Sequence, residues 1–105
     1  MTDADVPGRS SASLRFSGRL DAGSTIELDR LLKEQFDAGV TSLVVDLGEV
    51  SYVSTSVLRS LLLAHRRQER RGGELTLINI PPRIRRILTL CGFDRVFVLD
   101  SPASN

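Results

Sequence analysis

The stretch DLGEVSYVSTSVLRSLLL, residues 46–63, runs from an apolar, strand-like segment into an apolar, helix-like one across three consecutive hydroxyl side chains, Ser54, Thr55 and Ser56. Upstream, TSLVVDL (41–47) is a compact β-branched run of the kind that forms a buried central strand. VSYV (50–53) continues or repeats that strand after a break at Gly48-Glu49. Downstream, Val57, Leu58, Leu61, Leu62 and His65 fall on one helical stripe, and Arg59, Arg66, Arg67 and Arg70 lie mostly off it.

The same alternation extends in both directions. SLRFSGRL (13–20) reads as a short strand ending at Gly18. Ile26, Leu28, Leu31, Leu32, Gln35 and Phe36 recur at helical spacing. Ser24 is placed to cap that helix, Glu27 completes a capping-box pattern, and Gly39 stops it. Gly72-Gly73 ends the second long helix. ELTLINI (74–80) is a further strand, broken by Pro81-Pro82, which open a short helix with Ile84, Ile87, Leu88 and Cys91 on its apolar stripe and Gly92 as a left-handed stop. RVFVL (95–99) is a last strand. The order β-α-β-α-β-α-β gives an α/β domain with a partly parallel sheet.

With 105 residues the chain has room for one domain and one core. Residues 1–12 are expected to be a disordered leader, 13–100 the domain and 101–105 a flexible tail. The net charge of +1 provides no global attraction to nucleic acid or membrane, although residues 59–86 hold eight arginines against Glu69 and Glu74. That run reads first as a solvated helix face plus a loop. No apolar stretch approaches the roughly 20 residues that span a bilayer, and the single cysteine excludes an internal disulfide. A cytoplasmic location is expected.

Catalytic constellations are thin. His65 sits on an apolar stripe, where a hydrogen-bonded structural histidine is the expectation, and Cys91 lies on an apolar face, where cysteines are inert. No metal spacing and no phosphate-cradling glycine motif occurs, so neither a metal nor a cofactor is expected. The hydroxyl triplet has no adjacent base. His65 follows Thr55 by about 15 Å along a helix axis. The chain is not expected to be an enzyme.

Ligands and partners of an open α/β sheet gather at the C-terminal ends of its strands. Asp21, Asp46 and the start of the second long helix all belong there. The two aspartates could equally cap helices or turns. At the helix start, Ser54 alone suffices as N-cap, so capping accounts for one hydroxyl of three. Thr55 and Ser56 become the first helical residues, at the surface. A phosphate on either would add about −1.5 to −2 charges at the positive end of the helix dipole, where it changes what docks without melting the helix.

GRLDAGS, together with residues 42–99, resembles the STAS family, the domain of anti-sigma factor antagonists and of sulfate transporter tails. The resemblance is carried by G-x-L-D at Gly18–Asp21, by Asp46–Val53, by the Gly72-Gly73 turn and by the LCGFDRVF ending. It implies a small, mixed or partly parallel sheet with helices packed mainly on one side. In antagonists of the family the strand is followed by a D-S-S-G-L or D-T/S-x-x-L motif whose first hydroxyl residue is phosphorylated by a partner kinase. That acceptor falls on Thr55, with Ser56 as a second hydroxyl; Ser54 stands where the family has Asp, and Val57 where many members have Gly. The implied partner surface holds Asp21, Asp46, Ser54, Val57 and Leu58. The implied partners are an anti-sigma factor of the histidine-kinase-like ATPase type and a Ser/Thr phosphatase.

The first functional expectation is therefore an anti-sigma factor antagonist controlled by phosphorylation at Thr55 or Ser56. The second is a non-catalytic STAS scaffold in a stress-signalling or lipid-transport assembly. A third, nucleic-acid binding through Arg66, Arg67, Arg70, Arg71, Arg83, Arg85 and Arg86, is disfavoured, because the five aromatic residues offer no stacking platform.

Overall fold

The structure is a computed structural model and describes residues 10–99. Its strands are β1 (Ser11–Leu20), β2 (Ser42–Val53), β3 (Glu74–Ile78) and β4 (Val98–Leu99). Its helices are α1 (Thr25–Asp37), α2 (Thr55–Arg70) and α3 (Pro82–Leu90), with single 3-10 turns at Ala22–Ser24 and Phe93–Arg95. The element order is the one expected. β1 starts at Ser11, inside the expected leader, and runs on through Gly18 to Leu20. The rest of that leader and the expected tail lie outside the described residues.

The sheet order is β1-β2-β3-β4. Each of the three pairings is parallel, so the expected partly parallel sheet is parallel throughout among the described residues. Register places Ala12, Leu43 and Leu75 in one row and Leu14, Val45 and Leu77 in the next. These rows face the helices: Leu43, Val45, Leu75 and Leu77 are all buried. The rows between them, Ser13–Val44–Thr76 and Arg15–Asp46–Ile78, lie on the other face, where only Asp46 is fully buried. The helices thus cover one side of the sheet. Their contribution to the core is Leu28 and Leu32 from α1, Val57, Leu58, Leu61 and Ala64 from α2, and Ile84 and Leu88 from α3.

Local chemistry explains several ends. Gly72 takes φ +83°, and Gly73 passes so close to Thr41 that a Cβ there would lie 2.3 Å from its carbonyl oxygen. Gly92 has φ +79° and follows α3 as the expected left-handed stop. Pro81 and Pro82 occupy the N-cap and first position of α3. The expected capping box of α1 does not form. Ser24 is helical and makes no cap bond, because a 3-10 turn closed by the Ser24 N–H on the Asp21 carbonyl precedes the helix. Glu27 pairs with Arg30 instead, and that guanidinium holds its carboxyl below the usual range.

His65 is buried, with Nε2 3.3 Å from Glu69 Oε2 and its ring 5.7 Å from that of Phe97. The burial is the one expected of a structural histidine, but its Nδ1 has no hydrogen-bond partner among the described residues. Cys91 departs from expectation: it is exposed, because α3 ends at Leu90 and the chain leaves the helical track before the stripe reaches it. Arg71 and Arg67 of the basic run pack against the domain's own chain. Arg71 stacks on Phe36 at 3.6 Å and donates to the Val40 carbonyl, and Arg67 lies 5.9 Å from the same ring.

Candidate functional site

All three helices begin at the same rim, the C-terminal end of the sheet, because each follows a strand of one parallel set. α2 is fixed there by a short chain of bonds. Its N-cap, Ser54, donates its N–H to the Leu20 carbonyl at 2.9 Å, which ties the helix start to the end of β1. Ser54 is extended (φ −91°, ψ 164°), so its Oγ swings over the first turn and accepts the Val57 N–H at 3.2 Å. The Leu58 N–H closes the turn on the Ser54 carbonyl at 3.1 Å.

The three hydroxyls therefore have three different situations. Ser54 is half-buried and caps the helix. Ser56 is half-buried with its Oγ 3.0 Å from Ser54 Oγ. Thr55, the first residue of α2, is exposed.

The expected partner residues divide in the same way. Asp21 is exposed and follows Leu20 directly, which puts it next to Ser54; its Oδ1 accepts Ser24 Oγ at 3.3 Å. Val57 and Leu58 are corrected: they are 0% and 1% exposed and point into the core, so they offer a visitor no surface. Their apolar side chains at helical spacing with Leu61 seat α2 on the sheet.

For Asp46 the structure bears out the turn-capping alternative and not the partner-facing one. It is 7% exposed, and Oδ1 accepts the Gly48 N–H at 2.9 Å. Arg15 Nε stands 3.5 Å from Oδ2. The Gly48 amide, the Asn79 side chain and Arg15 hold this carboxyl below its ordinary range against the opposing effect of burial. Its carboxylate thus serves its own chain, clasping the bend of β2 to the β3–α3 loop.

Sequence reading missed two rim residues. Tyr52 is 37% exposed beneath the Arg19 guanidinium, 4.3 Å from the ring centroid. Ile26 fits the apolar stripe of α1 but is 80% exposed at its first turn. The signal for Tyr52 lay in Gly48-Glu49, where register shifts between β1 and β2 break the in-out alternation. Among the described residues, no group of three or more His, Cys, Asp and Glu side chains is placed to hold a metal, and no helix is long and apolar enough to cross a membrane.

Comparison with known proteins agrees with this geometry. Residues 3–104 match the STAS domain. The chain is 31% identical over 80 residues to BtrV of Bordetella bronchiseptica, which is named as an anti-sigma factor antagonist; the match covers 76% of this chain and 69% of BtrV. A crystal structure of an anti-sigma factor antagonist from Mycobacterium paratuberculosis superposes with a TM-score of 0.73 at 25% identity, covering 90% of this chain and 79% of that one. The Bacillus cell fate determinant SpoIIAA in its phosphorylated form is similar in fold, with a TM-score of 0.67, 19% identity, and coverage of 90% of this chain and 86% of SpoIIAA.

Proposed function

The chain belongs to the STAS domain family, and on that premise we propose that it is an anti-sigma factor antagonist: a non-enzymatic regulator that docks an anti-sigma factor at the rim around Asp21 and the start of α2, and so frees a sigma factor. The partner is a histidine-kinase-like ATPase that also phosphorylates Thr55, and a Ser/Thr phosphatase removes the phosphate. The setting is the cytoplasm.

One observation carries the choice of Thr55. Of three adjacent hydroxyls, Ser54 and Ser56 are half-buried and bonded to each other, and Thr55 alone is exposed. Ser56 is the second candidate acceptor and first has to release Ser54. A kinase transfers the γ-phosphoryl of ATP to Thr55 Oγ1, the hydroxyl proton passes to the kinase, and ADP leaves. The product places a dianion inside a contact that excludes water. An unpaired charge in such a contact costs several kcal/mol, and about 1.4 kcal/mol is already tenfold in affinity. Release then needs no change of fold. Because α2 carries no acid in its first turn, the helix itself sets no like charge against the phosphate.

The test is incubation with the anti-sigma factor and ATP, with the phosphate located by mass spectrometry and affinity measured before and after. Phosphate on Thr55 and a loss of binding by Thr55→Asp support the reading. Thr55→Asp binding as the wild type does refutes the switch. Co-purification with a transporter or stress-complex subunit, and not with an anti-sigma factor, moves the assignment to a STAS scaffold.

A further inference from the structure

β2 is longer than the strand beside it. Its pairing with β3 ends at Asp46↔Ile78. At Asn79 the chain takes a left-handed conformation (φ 53°) and leaves the sheet toward α3. β2 continues to Val53, held by β1 through Ser17↔Glu49, Gly18↔Val50, Arg19↔Tyr52 and Leu20↔Val53. Along residues 47–53, one edge of β2 therefore has no strand against it among the described residues. At its start the edge is occupied: the Gly48 N–H bonds Asp46 Oδ1 and Asn79 packs beside Gly48. The remainder, residues 49–53, is roughly 16 Å long at about 3.3 Å per residue, and the backbone groups of such an edge are what an added strand recognises.

A cleft of about 380 Å³ opens beside this edge, lined by Val50, Ser51, Pro81, Pro82, Arg83 and Ile84. Val50 and Ile84 are buried, and Ser51, Pro82 and Arg83 are exposed. It thus combines an apolar part, an unpaired strand edge and one cation.

Charge selects the occupant. Arg83 is exposed in the first turn of α3 and Arg86 in the turn after it, and neither makes an ion pair with a carboxylate among the described residues. The first turn of α3 holds no acid. Cations at that end of a helix oppose its dipole, so the surface beside the cleft carries positive charge that a carboxylate relieves. Resting on the antagonist reading above, we infer that an extended segment of the anti-sigma factor bearing an Asp or Glu side chain lies along residues 49–53, in the track that β3 vacates, with its carboxylate on Arg83. The free edge ends at Val53, two residues before Thr55, so one partner spans the strand edge and the phosphorylation point together.

Amide hydrogen–deuterium exchange on the full-length protein, free and mixed with the anti-sigma factor, tests this, together with affinities of the wild type, Arg83→Glu and Arg70→Glu. Arg83→Glu puts an acid where the α3 dipole favours it, so the fold survives, and thermal melting verifies that. The expected result is slowed exchange at the amides of residues 49–53 that β1 leaves unbonded. Arg83→Glu weakens binding about tenfold or more, whereas Arg70→Glu, at the far end of α2, changes it less than about twofold. A complex in which residues 49–53 exchange as in the free protein, or in which Arg83→Glu binds as the wild type, overturns the inference and leaves the antagonist reading standing. Absence of any complex with the wild type overturns both.

Discussion

The Ser54 side chain accepts the backbone N–H of Val57 at 3.2 Å and so closes the first turn of α2 beneath the exposed Thr55. The cap and the proposed acceptor are neighbours with separate tasks, and substitution separates them.

Ser54→Ala removes the cap and leaves the Val57 N–H, at a residue 0% exposed, without its acceptor. The expected loss is about 1 kcal/mol, or about 4–8 °C in Tm for a domain near this size. Ser54→Asp keeps an acceptor at the same place and adds a charge that the helix dipole favours, so its Tm equals or exceeds that of the wild type. Thermal unfolding followed by circular dichroism measures both. A Ser54→Ala protein melting at the wild-type temperature would show that the bond contributes nothing.

Thr55→Ala and Leu58→Ala test the division between rim and core. Thr55 is exposed and makes no bond that its side chain is needed for, so Thr55→Ala changes stability by less than about 0.5 kcal/mol. Leu58 is 1% exposed within the core cluster, so Leu58→Ala costs about 2–5 kcal/mol. Denaturant titration distinguishes them. A Leu58→Ala protein as stable as the wild type would return this residue to the partner surface.

The contrast shows how far the sequence carries. The α2 stripe, the Ser54 cap and the Gly92 stop are local and periodic, and they were legible. The capping box of α1 was not, because backbone bonding from Asp21 to Ser24 competes with the side-chain cap and wins. Val57 and Leu58 were assigned to the docking surface through sequence proximity to Thr55, although their spacing with Leu61 already marked them as core. For Asp46 the sequence leaves a partner contact and a turn cap equally open, because its partners Gly48, Asn79 and Arg15 meet only when β2 bends and three segments come together. The cleft beside β2 depends on β3 ending seven residues short of it, and strand ends are weakly encoded.

Gly72 and Gly73 adjoin in sequence and differ in what they require. Gly72 needs φ +83° but has open space around its Cα, so Gly72→Asn, which tolerates that conformation, costs little. At Gly73 a Cβ would meet the Thr41 carbonyl oxygen at 2.3 Å and Gln68 Oε1 at 2.9 Å. The Glu74 N–H bonds that same Thr41 oxygen at 2.8 Å, so the contact cannot open without disturbing the entry into β3. Gly73→Ala is expected to cost about 1–3 kcal/mol by overpacking. Equal urea midpoints for the two variants would contradict this account.

Asp46 gives the pH dependence. Its carboxyl is held below the ordinary range chiefly by the Gly48 N–H, with the Asn79 side chain and Arg15 assisting. A carboxyl whose folded pKa lies below its unfolded value, about 3.9, stabilises the native state in its ionised form. That contribution is complete above the unfolded pKa and is lost as the pH falls through the lower, folded one. Asp46→Asn keeps the side-chain shape and one oxygen acceptor but cannot ionise. It is therefore less stable than the wild type at neutral pH, by an amount that stays level down to about pH 5 and shrinks below about pH 4. Urea unfolding of both proteins across that range reads the difference. If the gap were unchanged at about pH 3, the destabilisation would come from packing at the bend of β2 and not from the charge, and the Gly48 amide would be bonding the neutral amide as well as it bonds the carboxylate.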